Sequence, residues 1–224
     1  MALTLLLLIA APLSVVLTLS DLRVTFLVYH LLLCLVVPFI HSKIRRYGWR
    51  EHLGLLGLTR PSRAVLVEGA ATGLAMAIGT VIVFSWSGSA LLEPGRVAQA
   101  MAAWGVEPAG SSFVFAVMLM LNGPAEELFW RGWVHGRLAH VRPRALALGI
   151  ATSGYASYHL VTLQALFPST GARAVAFTGI LLAGSWWAWR RERCGTVWGP
   201  LLAHMGATLG YMALYGQILK YGQR

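Results

Sequence analysis

Residues 111–136 read SSFVFAVMLMLNGPAEELFWRGWVHG, an apolar run that nevertheless carries Glu126, Glu127 and Arg131. A membrane-spanning helix needs about 20 mostly apolar residues. Charged groups inside such a helix are rare, because hydrocarbon tolerates them only when they are paired or used. Outward from this stretch, comparable runs fall at 2–20, 22–41, 64–86, 145–165, 172–189 and 196–218. The chain is 57% hydrophobic and 12% charged, with a mean hydropathy of +0.66, which lies outside the range of soluble globular domains. The expected fold class is therefore all-α, a polytopic transmembrane helical bundle of about seven spans. One membrane domain is expected over 1–224. Two N-terminal spans and an amphipathic cytoplasmic segment fill 1–63, and a five-span core that holds the chemistry fills 64–224.

The basic residues give the orientation. The segment SKIRRYGWREHLGLLGLTRPSR after the second run resembles an amphipathic surface helix, with Lys43, Arg45, Arg46, Arg50, Arg60 and Arg63 beside Trp49 and a Leu-rich stretch. Together with Arg137, Arg142, Arg144, Arg190, Arg191 and Arg193 it puts 12 basic residues on one side, against five (Arg23, Arg96, Arg173, Lys220, Arg224) on the other. Positively charged loops stay in the cytoplasm, so seven alternating spans put the N-terminus there. The longest non-cytoplasmic loop is then 87–110. The net charge of +10 is thus a topology signal, and no nucleic-acid partner is expected; the bilayer is the partner it implies. The start MALTLLLLIAAPLSVVLTLS lacks a basic leader and a small-x-small cleavage site, which favours a retained span. The Arg- and Ala-rich composition favours a bacterial inner membrane. The two cysteines, Cys34 and Cys194, stand apart and imply neither a disulfide framework nor a Cys-based metal site.

The chemistry lies in three runs. Residues i and i+4 share a helix face while successive residues diverge, so Glu127 can pair with Arg131 and leave Glu126 as a free acid. Polar glue between helices is the ordinary explanation of one buried pair, but glue does not require a spare acid. SGYASYHLVTL sets His159 one turn after Tyr155, and VWGPLLAHMGATLGY sets His204 one turn before Thr208. A carboxylate and an imidazole sharing a water can act as a general base, and a second imidazole with a hydroxyl can donate to a developing oxyanion. The set suffices for peptide hydrolysis in a water-filled cavity between the fourth, fifth and seventh runs. His30 and Glu68 are read as interhelical polar contacts or cavity-lining groups. His41, His52, His135 and His140 are read as interfacial, and Trp186, Trp187 and Trp189 as an aromatic belt.

Absent residues narrow the mechanism. Asp21 is the single aspartate, so a catalytic aspartate pair cannot be built, and a Ser-His-Asp triad would have to use that residue. No H-E-x-x-H occurs, and no G-x-S-G, which counts against a rhomboid-like serine protease.

The three motifs resemble those of the CAAX-protease and bacteriocin-processing family (CPBP, or Abi), whose members are intramembrane glutamic endopeptidases. The family pattern is E-E-x-x-x-R, F-x-x-x-H and H-x-x-x-N. It reads here as Glu126-Glu127-x-x-x-Arg131, Tyr155-x-x-x-His159 and His204-x-x-x-Thr208, in the same order and within 110–215. Tyr155 replaces Phe and Thr208 replaces Asn, a shorter hydroxyl that can still donate. By this resemblance Glu126 with His159 would activate water, Glu127 with Arg131 would orient the site, and His204 with Thr208 would stabilise the oxyanion. No cofactor is expected. The alternative is zinc, which would take Glu126, His159 and His204. The implied substrate is a peptide or protein at the membrane: a prenylated CaaX protein, a leader peptide or a C-terminal sorting signal. Two other functions fit intramembrane ionisable groups. A proton-coupled transporter would show repeated halves, and none is apparent. A non-catalytic scaffold would keep the same residues as structural contacts.

Overall fold

The computed structural model describes residues 2–87, 91–107 and 110–221. Arg224 and parts of the expected 87–110 loop, residues 88–90 and 108–109, lie outside the described residues. Helices coincide with every apolar run. They are α1 (Ala2–Thr18), α2 (Leu22–Ile44), a short α3 (Trp49–Leu55), α4 (Arg63–Ser87), α5 (Pro94–Ala103), α6 (Ser111–Ala139), α7 (Arg144–Ser157), α8 (His159–Leu166), α9 (Thr170–Cys194) and α10 (Trp198–Tyr221). The chain is an all-α bundle, without strands among the described residues. By length and apolarity α2, α4 and α6 are each fit to cross a membrane. Helix α7, with 14 residues, is shorter than that standard, whereas α9 and α10 are long enough but less apolar. The fifth run is not one rod: it breaks at Tyr158, between α7 and α8.

Two helices contain wide π-helical turns, Phe26–Val36 in α2 and Glu127–Val134 in α6. Such turns are rare and recur at functional sites. In α6 the wide segment follows Pro124, which lacks an amide hydrogen to close an α-helical turn. Trp130 and Trp133 are completely buried there, and the Trp130 Nε1–H donates to the Tyr29 hydroxyl of α2 at 2.8 Å.

The basic segment before α4 is less helical than its sequence promises. Only Trp49–Leu55 forms a helix. Arg46 and Gly57 both have positive φ (57° and 72°), and Pro61 follows. Leu56 is buried against Gly132, where an added Cβ would run into the Leu56 carbonyl oxygen. The Gly57 carbonyl accepts from Val197 N (3.0 Å) and Thr196 Oγ1 (3.1 Å). Tyr47, Glu51, Leu55, Gly136, His140 and Arg191 line an open cleft of about 440 Å³, so the three basic loops meet at one end of the bundle. Glu68 belongs to that end, where it pairs with Arg190. His41, His52 and His135 are buried and not interfacial: His52 Nδ1 bonds Ser42 Oγ at 2.8 Å and His135 faces Glu192 at 3.2 Å. His140 alone of the four is exposed. At the other end Arg96 donates to the Gln164 and Ala165 carbonyls (2.8 Å each), satisfying the C-terminus of α8.

Helix α4 docks almost wholly on α10, through small residues. Gly69, Gly73 and Ala77 face Gly199, Ala203, Gly206 and Gly210; a Cβ on Gly69 would sit 2.6 Å from Gly199 O, and one on Gly206 would run into the Gly73 backbone. This small-xxx-small seam is the way two helices gain contact in lipid, where hydrophobicity supplies no drive. The opposite face of α4 exposes Val67, Leu74, Ile78, Val83 and Trp86, a surface suited to acyl chains. Gly206→Ala is expected to force the helices apart and cost about 1–3 kcal/mol. Gly79→Ala, where a Cβ meets nothing within 4 Å, is expected to leave stability level or slightly raised. Thermal melting of both variants in one detergent tests the seam, and equal melting points would dismiss it.

Candidate active site

Glu126 and Glu127 are both completely buried, as are Thr208 and, to within 1%, Arg131. Each carboxylate is accounted for separately. Glu127 Oε1 accepts from Arg131 Nη1 at 2.8 Å and from His204 Nδ1 at 2.9 Å. The guanidinium also donates from Nη2 to the Gly184 carbonyl (3.1 Å) and lies 4.1 Å over the Tyr155 ring. A Cβ on Gly184 would come within 3.0 Å of that Nη2, so glycine lets the α9 backbone reach the arginine. His204 is sandwiched by rings, stacked on Trp187 at 4.2 Å and met edge-on by Tyr155 at 5.8 Å. Trp187 is therefore a wall of the site and not part of an interfacial belt.

Glu126 is not the partnerless acid expected from the sequence. Its Oε1 accepts from the Tyr158 hydroxyl (2.6 Å) and from His30 Nε2 (3.2 Å). Its Oε2 has no hydrogen-bond partner and lies 3.8 Å from His204 Nε2. The reason is energetic: an isolated ionised carboxylate in an apolar interior is too costly to persist, so neighbouring helices supply donors. His30 comes from outside the expected motifs, and Tyr158 occupies an unspecified position inside one of them. An imidazole inside an apolar run was the sequence signal for His30. For Tyr158 there was none, because its role depends on the break between α7 and α8.

His159 begins α8, half-buried, stacked on the Tyr158 ring at 4.0 Å. Its Nδ1 lies 3.2 Å from the Tyr155 carbonyl, which can only accept, so Nδ1 carries the proton and Nε2 keeps a free lone pair. The helix break thus brings His159 beside the ring whose hydroxyl holds Glu126, although rise per residue along a straight span would put it nearer the far membrane face. Thr208 Oγ1 accepts from the Tyr211 hydroxyl at 3.4 Å, one turn beyond His204. Glu126, Glu127, Arg131, His204 and Thr208 are therefore buried within one interior, and His159 joins it through Tyr158.

Two expectations do not hold. The open clefts belong to the basic end, and their walls include neither carboxylate; the acids are sealed by Tyr155, Tyr158 and Trp187. The zinc alternative, Glu126, His159 and His204, is not an assembled ligand set: among the described residues no group of three His, Cys, Asp or Glu is placed to hold a metal ion.

Arg131→Met would leave Glu127 and His204 without their cation. The expected result is a loss on the order of 3–5 kcal/mol in stability, the usual cost of orphaning one half of a buried pair. A calorimetric melt no lower than that of the unsubstituted protein would show that Glu127 does not depend on the arginine.

Residues 108–210 match the family described as type II CAAX prenyl endopeptidase Rce1-like. No curated protein and no solved structure matches the chain. The matched segment runs from just before α6 into α10 and so contains every residue of the three motifs. Over residues 108–210, slightly less than half of the chain, the sequence is thus similar to the type II CAAX prenyl endopeptidases.

Proposed function

We propose that the protein hydrolyses a peptide bond of a membrane-associated substrate with a water activated by Glu126 and His159. The observation that carries this reading is the free oxygen of Glu126: both acids hold two donors on Oε1 and leave Oε2 buried without a partner, but it is Glu126 Oε2 that lies 3.8 Å from His204 Nε2. Oε2 and the free Nε2 of His159 are acceptors for the protons of one attacking water. Glu127, bound to Arg131, accepts from His204 Nδ1–H and so directs Nε2 toward Glu126. A proton carried there would be donated to the oxyanion as the tetrahedral intermediate forms. Thr208 accepts from Tyr211 and retains its own proton as a second donor.

The reading is metal-free: it reserves Glu126 Oε2 and the free imidazole nitrogens for proton transfer and routes no step through a metal. The N-terminus is placed in the cytoplasm, an orientation supported by the meeting of the three basic loops at one end. The membrane is proposed to be a bacterial inner membrane. A CaaX-type C-terminus is the substrate class the family favours.

The test is cleavage, in liposomes, of a peptide ending in a farnesylated Cys-aliphatic-aliphatic-X quartet flanked by a fluorophore and a quencher. Glu126→Gln and His159→Ala are expected to lower kcat by about 10²–10⁴-fold, the usual contribution of a general base, with unchanged melting temperatures. Thr208→Val is expected to lose about 10²-fold, as for an oxyanion donor. Full activity in either of the first two variants would end this mechanism. A melting temperature that collapses along with activity would favour a structural role.

A further inference from the structure

We infer that His30, on α2 and outside the matched segment 108–210, is a positioning residue that decides which oxygen of Glu126 acts as the base. The catalytic consequence rests on the proposed hydrolase reading; the contact does not.

His30 is 4% exposed, on a helix remote in sequence from every motif, and its Nε2 lies 3.2 Å from Glu126 Oε1. An ionised carboxylate only accepts, so Nε2 carries the hydrogen. Nδ1 is buried with no partner. A hydrogen there would be an unpaired buried donor, so Nε2–H is the tautomer that fits this environment. The ring is fixed on both sides, stacked by Phe26 at 4.5 Å and met edge-on by Tyr29 at 4.7 Å. Tyr29 is in turn tied to α6 by Trp130 at 2.8 Å. The wide turn Phe26–Val36 thus holds His30 against the helix that carries the acid.

The effect is selective. His30 and the Tyr158 hydroxyl (2.6 Å) both bind Oε1, from different helices, and nothing binds Oε2. Two donors occupy Oε1 and fix the carboxylate rotamer, which leaves Oε2 as the oxygen available to take a proton from water. Without His30, the carboxylate can swing about its last torsion and share its bonds between both oxygens.

Two readouts test this. In protein labelled with ¹⁵N-histidine and held in nanodiscs, the His30 signals are those lost in His30→Gln. They should show a protonated Nε2 and a bare Nδ1, and should shift in Glu126→Ala. The opposite tautomer, or no shift, overturns the inference whether or not the protein cleaves anything. With the farnesylated peptide, His30→Leu should lower kcat by about 10–100-fold with KM within about twofold, as for a misplaced catalytic group. His30→Gln, whose side-chain amide can donate from about the same place, should recover most of that loss. Leu and Gln variants that are equally slow indicate packing alone and overturn it. A His30→Leu variant at full kcat while Glu126→Ala is dead overturns it and leaves the hydrolase reading standing. Cleavage by Glu126→Ala would end the hydrolase reading instead, and the nitrogen spectrum then decides the contact by itself.

Discussion

Everything at the centre of this bundle depends on accommodating two adjacent carboxyl groups in a completely buried interior. Moving one such group out of water costs several kcal/mol even after relaxation. The protein meets that cost by spreading it: Arg131 and His204 serve Glu127, and Tyr158 and His30 serve Glu126. These donors come from α2, α6, α10 and the junction of α7 with α8. The helices cannot slide past one another without stranding a charge. The polar network therefore fixes the register of the bundle, a task that apolar packing in lipid performs poorly.

The two carboxylates end up with different tasks because their donors differ. Glu127 is bound by a permanent cation and an imidazole, and Arg131 is itself spread over Glu127, a carbonyl and an aromatic face. That oxygen is occupied. Glu126 takes a phenol hydroxyl and an imidazole on Oε1, and its Oε2 lies beside one further imidazole, that of His204. The same residue type, one position apart, is held by a guanidinium and an imidazole in one case and by a phenol hydroxyl and an imidazole in the other.

Much of this was legible in the sequence. The seven apolar runs became helices with limits close to those expected, because run length and turn residues determine both. The Glu127–Arg131 pair follows from i, i+4 spacing alone. What could not be read was tertiary. Glu126 looked unpartnered because its donors lie 96 and 32 residues away. Trp187 looked interfacial because it stands next to arginines, yet α9 turns it inward onto His204. The basic segment looked like a longer helix because its charge pattern conceals the left-handed positions at Arg46 and Gly57.

The glycine seam between α4 and α10 has a bearing on traffic. On that flank two backbones touch, and a methyl group already has no room. A lipid-borne chain seeking Glu126 from within the bilayer cannot wedge itself in there, so ingress has to occur along another flank. Helix α10 also carries His204 and Thr208 on the side away from the seam. The closed flank thus doubles as an anvil, a rigid backing against which those two groups hold their place.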